Sequence, residues 1–140
     1  MMREILFKSK RIDNGEWIEG YYVKTYNNQG KLTDRIFREF GADEGNEWGF
    51  FEIDPETLCQ YTGLKDKNGK RIWENDICKM VYDGKSHTYV IVWDEEEFDF
   101  KGTNGKKNYG RNFEYLGCCE EIVRTGNIFD NPELLGQDGD

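Results

Sequence analysis

The chain has 140 residues, 36% of them hydrophobic and 15% aromatic, which suits a single domain that buries roughly two thirds of its unfolded surface. Its 28 acidic residues against 19 basic ones leave a net charge of −9, which repels nucleic acid, since such binding is driven by Lys and Arg displacing counterions from phosphates; a general DNA binder is disfavoured. No apolar run approaches the about 18 residues that would cross a bilayer, and charges in MMREILFKSK occupy the place of a signal peptide's apolar segment, so the expected compartment is the cytosol, with reduced thiols and no membrane partner.

In chain order, Asn14-Gly15 is a two-residue hairpin signal. It leads into an extended segment, Glu16 to Lys24, whose period of two sets Trp17, Tyr21 and Val23 on one face. RIFREF follows with Ile36 and Phe40 flanking Arg38, again the pattern of a half-buried strand. In DPETL, Asp54 can cap orphan amides, Pro55 fits the first helical position and Glu56 favours the positive end of the dipole, so a short helical turn is predicted. Asn68-Gly69 repeats the hairpin signal, and Asp76 to Tyr82 reads as a strand. TYVIVW has apolar residues on both faces, Tyr89, Ile91 and Trp93 on one and Val90 and Val92 on the other, which predicts a central strand or one within a closed barrel. Lys101 to Gly110 is crowded with Gly and Asn and reads as a hairpin loop; Asn112 to Leu116 and Glu121 to Phe129 read as strands, and NPELL as a second helical turn. These elements describe a mainly β domain over residues 1–135, with a flexible tail at 136–140.

Charge is uneven along the chain. Lys65, Lys67, Lys70 and Arg71 form one basic cluster, Lys101, Lys106, Lys107 and Arg111 a second, and Asp94 to Glu97 an acidic run; solvated loops and strand rims account for such runs more often than sites do. Asp66, Asn68 and Gly69 resemble a calcium loop only until the register is counted. From Asp66, the fifth position is Lys70, the glycine position is Arg71, and the twelfth, which needs a bidentate Glu, is Ile77. Zinc has no better spacing, since Cys59 and Cys78 are isolated, Cys118 and Cys119 are adjacent, and His87 is the sole histidine. Cys59 and Cys78 are read as small buried hydrophobes. Ser86 and His87 are neighbours on a strand and point to opposite faces, which excludes a local nucleophile and base pair. No phosphate-binding glycine loop is present. Catalytic, metal and cofactor residues are therefore expected to be none.

MREILFKSKRIDNGEWIEGYYV, IDPETLCQYTGLKDKNGKRIWENDICK, VIVWD and GNIFDNPELL, in that order, resemble the YopX-like family of phage and prophage proteins. The resemblance is carried by Gln60 to Leu64, Asp66, Gly69, Ile72, Glu74, Asp76 and Ile77; Trp73 stands for the family's Tyr or Phe, Asn75 for Gly and Cys78 for Val. It implies a small SH3-like barrel or roll with additional strands and short helical turns, and no assigned reaction. The motif is accordingly read first as turn architecture, with Gly63 and Gly69 at positive φ and Asn75 at a left-handed position.

Two functions then follow as expectations. The first is a phage-encoded, non-catalytic binding or assembly module that contacts a phage or host protein through exposed aromatics such as Tyr61, Trp73 or Trp48 and self-associates through sheet edges. The second is a nucleic-acid-binding β-barrel whose surface combines Tyr61 and Trp73 with Lys65, Lys67, Lys70 and Arg71. Acidic mimicry of DNA is weakened by the 19 interspersed cations.

Overall fold

The Asn-Gly dipeptides at 14–15 and 68–69 turn the chain where the sequence predicts. In the computed structural model, which describes residues 4–39, 41, 48–103 and 113–136, Gly15 and Gly69 take φ of 72° and 81°. Gly15 lies between β1 (Phe7–Lys10) and β2 (Trp17–Tyr26), and Gly69 between β5 (Cys59–Lys65) and β6 (Arg71–Trp73). The remaining strands are β3 (Leu32–Glu39), β4 (Trp48–Glu52), β7 (Asp76–Tyr82), β8 (Lys85–Asp94), β9 (Asp99–Thr103), β10 (Phe113–Tyr115) and β11 (Glu121–Asn127). The fold is mainly β, and among the described residues its helical pieces are 3-10 turns at Pro55–Thr57, Leu116–Cys118 and Pro132–Gly136. The first begins as DPETL predicts, with an Asp54 carboxylate oxygen accepting from the Glu56 N–H at 3.0 Å. In the NPELL turn the Asn131 side chain reaches back instead and accepts from the Asn127 N–H at 3.2 Å.

The chain gathers into two compact units that divide after Tyr61. In the first, the antiparallel order is β4-β3-β2-β1-β5. Its core is Ile18, Ile36 and Ile53, packed by Phe7, Tyr22, Phe51 and Leu58. The inward face of β2 is thus the even one. Tyr21 is 60% exposed, so the face shared by Trp17, Tyr21 and Val23 is the outer one. Both faces of β2 carry aromatics, so its period alone does not say which is inside. Gly20 decides the local geometry: β2 pairs with β1 up to this residue and with β3 from the next, and a Cβ here would lie 2.2 Å from the Phe37 carbonyl oxygen. Ile36 is fully buried as predicted; Phe40 lies outside the described residues.

In the second unit the antiparallel order is β10-β9-β8-β7-β11, while β6 pairs with β5. Ile72, Cys78, Met80, Tyr89, Ile91, Phe100 and Leu116 form its core. β8 is central, and Tyr89, Val90 and Ile91 are all buried, as expected of a strand apolar on both faces. The ladders do not close a barrel among the described residues, so of the small SH3-like barrel or roll that the family resemblance implies, the closed barrel is not formed there. In the second unit β10 and β11 remain the two ends of the order. In the first, β4 and β1 meet only beyond their ends, through an isolated Arg11 to Ile53 bridge flanked by Ile12 N–H to Glu52 C=O and Asp54 N–H to Lys10 C=O. One bridge curls the sheet without making the continuous ladder that closure needs.

Lys101 also differs from its sequence reading. It belongs to β9 rather than to a solvated basic loop, and it is 3% exposed. The turn after β8 folds the acidic run back over the strand, so that the Lys101 ammonium donates to Asp94 at 2.6 Å and to Glu97, and stands 4.9 Å from the centre of the Tyr115 ring. These two carboxylates raise its pKa by hydrogen bonding, more than burial lowers it. Lys106, Lys107, Arg111 and the tail from 137 lie outside the described residues.

The signature hairpin as a candidate functional site

From Gln60 to Ile77 the chain makes a hairpin, a tight turn and the start of a strand, and its two aspartates, Asp66 and Asp76, are buried in the fold. Asp66 is buried at the hairpin turn. One carboxylate oxygen accepts from the N–H groups of Asn68 and Lys70, each at 2.9 Å. The other accepts from the Arg124 N–H of β11 at 3.0 Å. Burial pushes this carboxyl up, but the three amides together with the Lys70 charge outweigh it and hold its pKa below the ordinary value. Gly69, at positive φ, closes the turn by donating to the Asp66 carbonyl at 3.0 Å, and Lys67 N–H bonds Ile122 C=O at 3.1 Å. Gly63 is likewise at positive φ, 88°.

The second turn, Trp73 to Asp76, repeats the device. Asp76 is fully buried, accepts from the Trp73 N–H at 2.8 Å and lies 3.4 Å from Arg124 Nε. Asn75 takes the left-handed conformation, φ 70°, and binds on both sides: its N–H donates to Ile91 C=O at 2.7 Å and its C=O accepts from Ile128 N–H at 3.0 Å. Asp66 and Asp76 therefore hold opposite parts of one residue, Arg124, and the motif fastens β8 and β11 to the hairpin. The positive φ values predicted at Gly63, Gly69 and Asn75 are all present.

The six residues proposed as a binding surface do not share one. Tyr61 is 5% exposed and Trp73 1%, so neither ring presents a face for stacking. Lys65, Lys67 and Lys70 are exposed and Arg71 is half-buried, and Lys67 is paired with Glu121 at 2.8 Å. The cations thus lie on the hairpin surface while the aromatics lie beneath it. Beside them is a groove of about 380 Å³ with Leu64, Ile72, Leu116, Cys119 and Ile122 in its lining and Lys65 and Glu121 among its polar groups. Cys59 and Cys78 are buried as expected, and burial pushes the Cys78 thiol up, away from thiolate chemistry.

Sequence reading does not find a second surface, on the first unit. β2, β3 and β4 are paired so that Tyr21 lies opposite Phe37 and Phe37 opposite Phe50. Ring centroids of Phe37 and Phe50 are 5.0 Å apart, and Trp48 completes the group at 6.0 Å from Phe37 and 6.3 Å from Phe50. Trp48 is 64% and Phe50 48% exposed. Trp48 is legible as an exposed aromatic, but the stripe needs the register of three strands to assemble.

Residues 6–136 match the YopX protein family. The chain belongs to the YopX family. Among solved structures, this YopX protein is similar to protein EF1440 from Enterococcus faecalis, with a TM-score of 0.53 at 20% sequence identity over 96% of this chain and 99% of that one. At that identity the likeness concerns the fold. No curated protein matches the YopX chain significantly.

Proposed function

We propose that this YopX protein is a non-catalytic binding or assembly module, encoded by a phage or prophage and acting in the host cytoplasm through protein contacts, with residues 1–135 working as one domain. The observation that carries the reading is the outward aromatic stripe of Tyr21, Phe37, Phe50 and Trp48. Aromatics are enriched in the cores of protein interfaces, and a contiguous apolar patch is unusual on a surface that otherwise stands in water. The internal use of the signature acids supports it as well, because Asp66 and Asp76 serve the fold. Affinity capture from infected or lysogenic cells tests the proposal. A phage or host protein should be retained by the wild type and lost by Tyr21→Ser/Trp48→Ser at an unchanged melting temperature. Retention by both, or by neither, would remove the stripe from the reading.

A further inference from the structure

The outer edge of β4 has a specific hydrogen-bonding state. Ile53 N–H bonds Asp34 C=O at 3.0 Å, so in the ladder with β3 the bonded pairs are Asp34 with Ile53, Ile36 with Phe51 and Arg38 with Gly49. Trp48, Phe50 and Glu52 then direct their N–H and C=O groups away from β3. Glu52 C=O is taken by Ile12 N–H at 3.1 Å. Trp48 and Phe50 keep theirs open among the described residues. Natural edges are protected by lysine, proline or a bulge, and WGFFE has none of these and a single charge, Glu52.

We infer that this edge pairs antiparallel with β4 of a second copy about a two-fold axis at Gly49. The inference rests on the binding-module reading and adds a second copy of this chain to the partners of that surface. In that register Trp48 of each copy faces Phe50 of the other, and each of the two pairs exchanges two backbone hydrogen bonds. The two-fold makes the contact self-complementary and closed. A hollow of about 280 Å³, lined by Ile12, Asp13, Phe50, Phe51 and Glu52, adjoins Phe50 and receives the partner's Trp48. Glu52 lies beyond the paired residues, so its bond to Ile12 is kept.

Area sets the strength. An aromatic side chain buries roughly 150–250 Å² when fully enclosed, so the exposed parts of Trp48 and Phe50 cover roughly 300 Å² per copy. Stable interfaces bury about 1,200–2,000 Å² in total. The dimer is accordingly weak and concentration-dependent, with a Kd between about 10 µM and 1 mM.

Sedimentation of the full chain over that concentration range tests this. Phe50→Pro is the informative variant: the Phe50 N–H faces away from β3, so proline removes an edge donor and leaves the internal ladder intact. Trp48→Lys installs the missing edge charge and serves if the proline variant does not fold. Either change should raise Kd at least tenfold, while Leu135→Ser, an exposed apolar residue of the second unit, should not. In a Cys118→Ser/Cys119→Ser background, Gly49→Cys should form an intermolecular disulfide on oxidation, since Cα atoms of an unbonded antiparallel pair are about 4.5 Å apart. A wild type that is monomeric throughout, or dimers unaffected by a folded Phe50→Pro or Trp48→Lys, would overturn the inference. The binding-module reading would still be decided by the capture experiment.

Discussion

At Gly69 the backbone stands at φ 81° with nothing within 4 Å of the place a Cβ would take. A substitution there meets only backbone strain. Gly69→Val should lower stability by about 1–2 kcal/mol, because β-branching opposes the left-handed region, and Gly69→Asn should cost less. Thermal melts compare the two, and an unchanged melting temperature for the valine variant would refute the turn assignment. The need for a left-handed residue is legible in the sequence, since Asn-Gly is itself the signal. The role of Asp66 is not: its third amide comes from Arg124, 58 residues away, and no local pattern encodes that. Its folded pKa is depressed, so its contribution is present above the unfolded value and is lost as pH falls through the folded one. The melting temperature should drop below about pH 4, and Asp66→Asn should be less stable at neutral pH with a flatter acid limb.

At the scale of the element, β8 and β2 show where periodicity informs and where it stops. A strand apolar on both faces has no solvent side to choose, so β8 reads directly as central. β2 has Trp17 and Tyr21 on one face and Ile18 and Tyr22 on the other, and the choice was made by β1, β3 and the bridge that curls the sheet over Ile18. The β8 to β9 hairpin carries a buried ammonium that local sequence does not announce. Lys101→Ala would leave Asp94 and Glu97 facing each other without their cation, and should lower the melting temperature at pH 7. Hydrogen bonds from Lys101 hold Asp94 and Glu97 below their ordinary values, while those same bonds raise Lys101. The clasp is therefore intact between the carboxylate and lysine ranges, loosens as the carboxylates are protonated below about pH 4, and loosens again as Lys101 loses its proton above its raised value. Trp93, whose ring centroid is 4.9 Å from that of Phe100, reports this by fluorescence. A signal unchanged between pH 7 and pH 3 would refute the clasp.

For the whole molecule, the net charge of −9 and the burial of Tyr61 and Trp73 bear on the nucleic-acid reading together. Single-stranded DNA should bind no tighter than about micromolar at physiological salt, with Lys67→Glu/Lys70→Glu changing little. A gel-shift titration at two salt concentrations checks this; sub-micromolar, salt-sensitive binding lost in the double variant would instead establish the hairpin cations as a nucleic-acid surface. What the sequence by itself determined about this protein is everything set by short-range chemistry: the β class, the two hairpin turns, the left-handed Asn75, the helical turns at the two prolines, the central β8 and the family. Only the tertiary structure decided which aromatics face water, where Lys101 finds its counterions and what the signature acids hold. Turn type and strand period depend on a residue and its immediate neighbours, whereas burial and pairing depend on which distant strand lies alongside. In a fold built from antiparallel ladders, that second kind of information is carried by register, which no single segment contains.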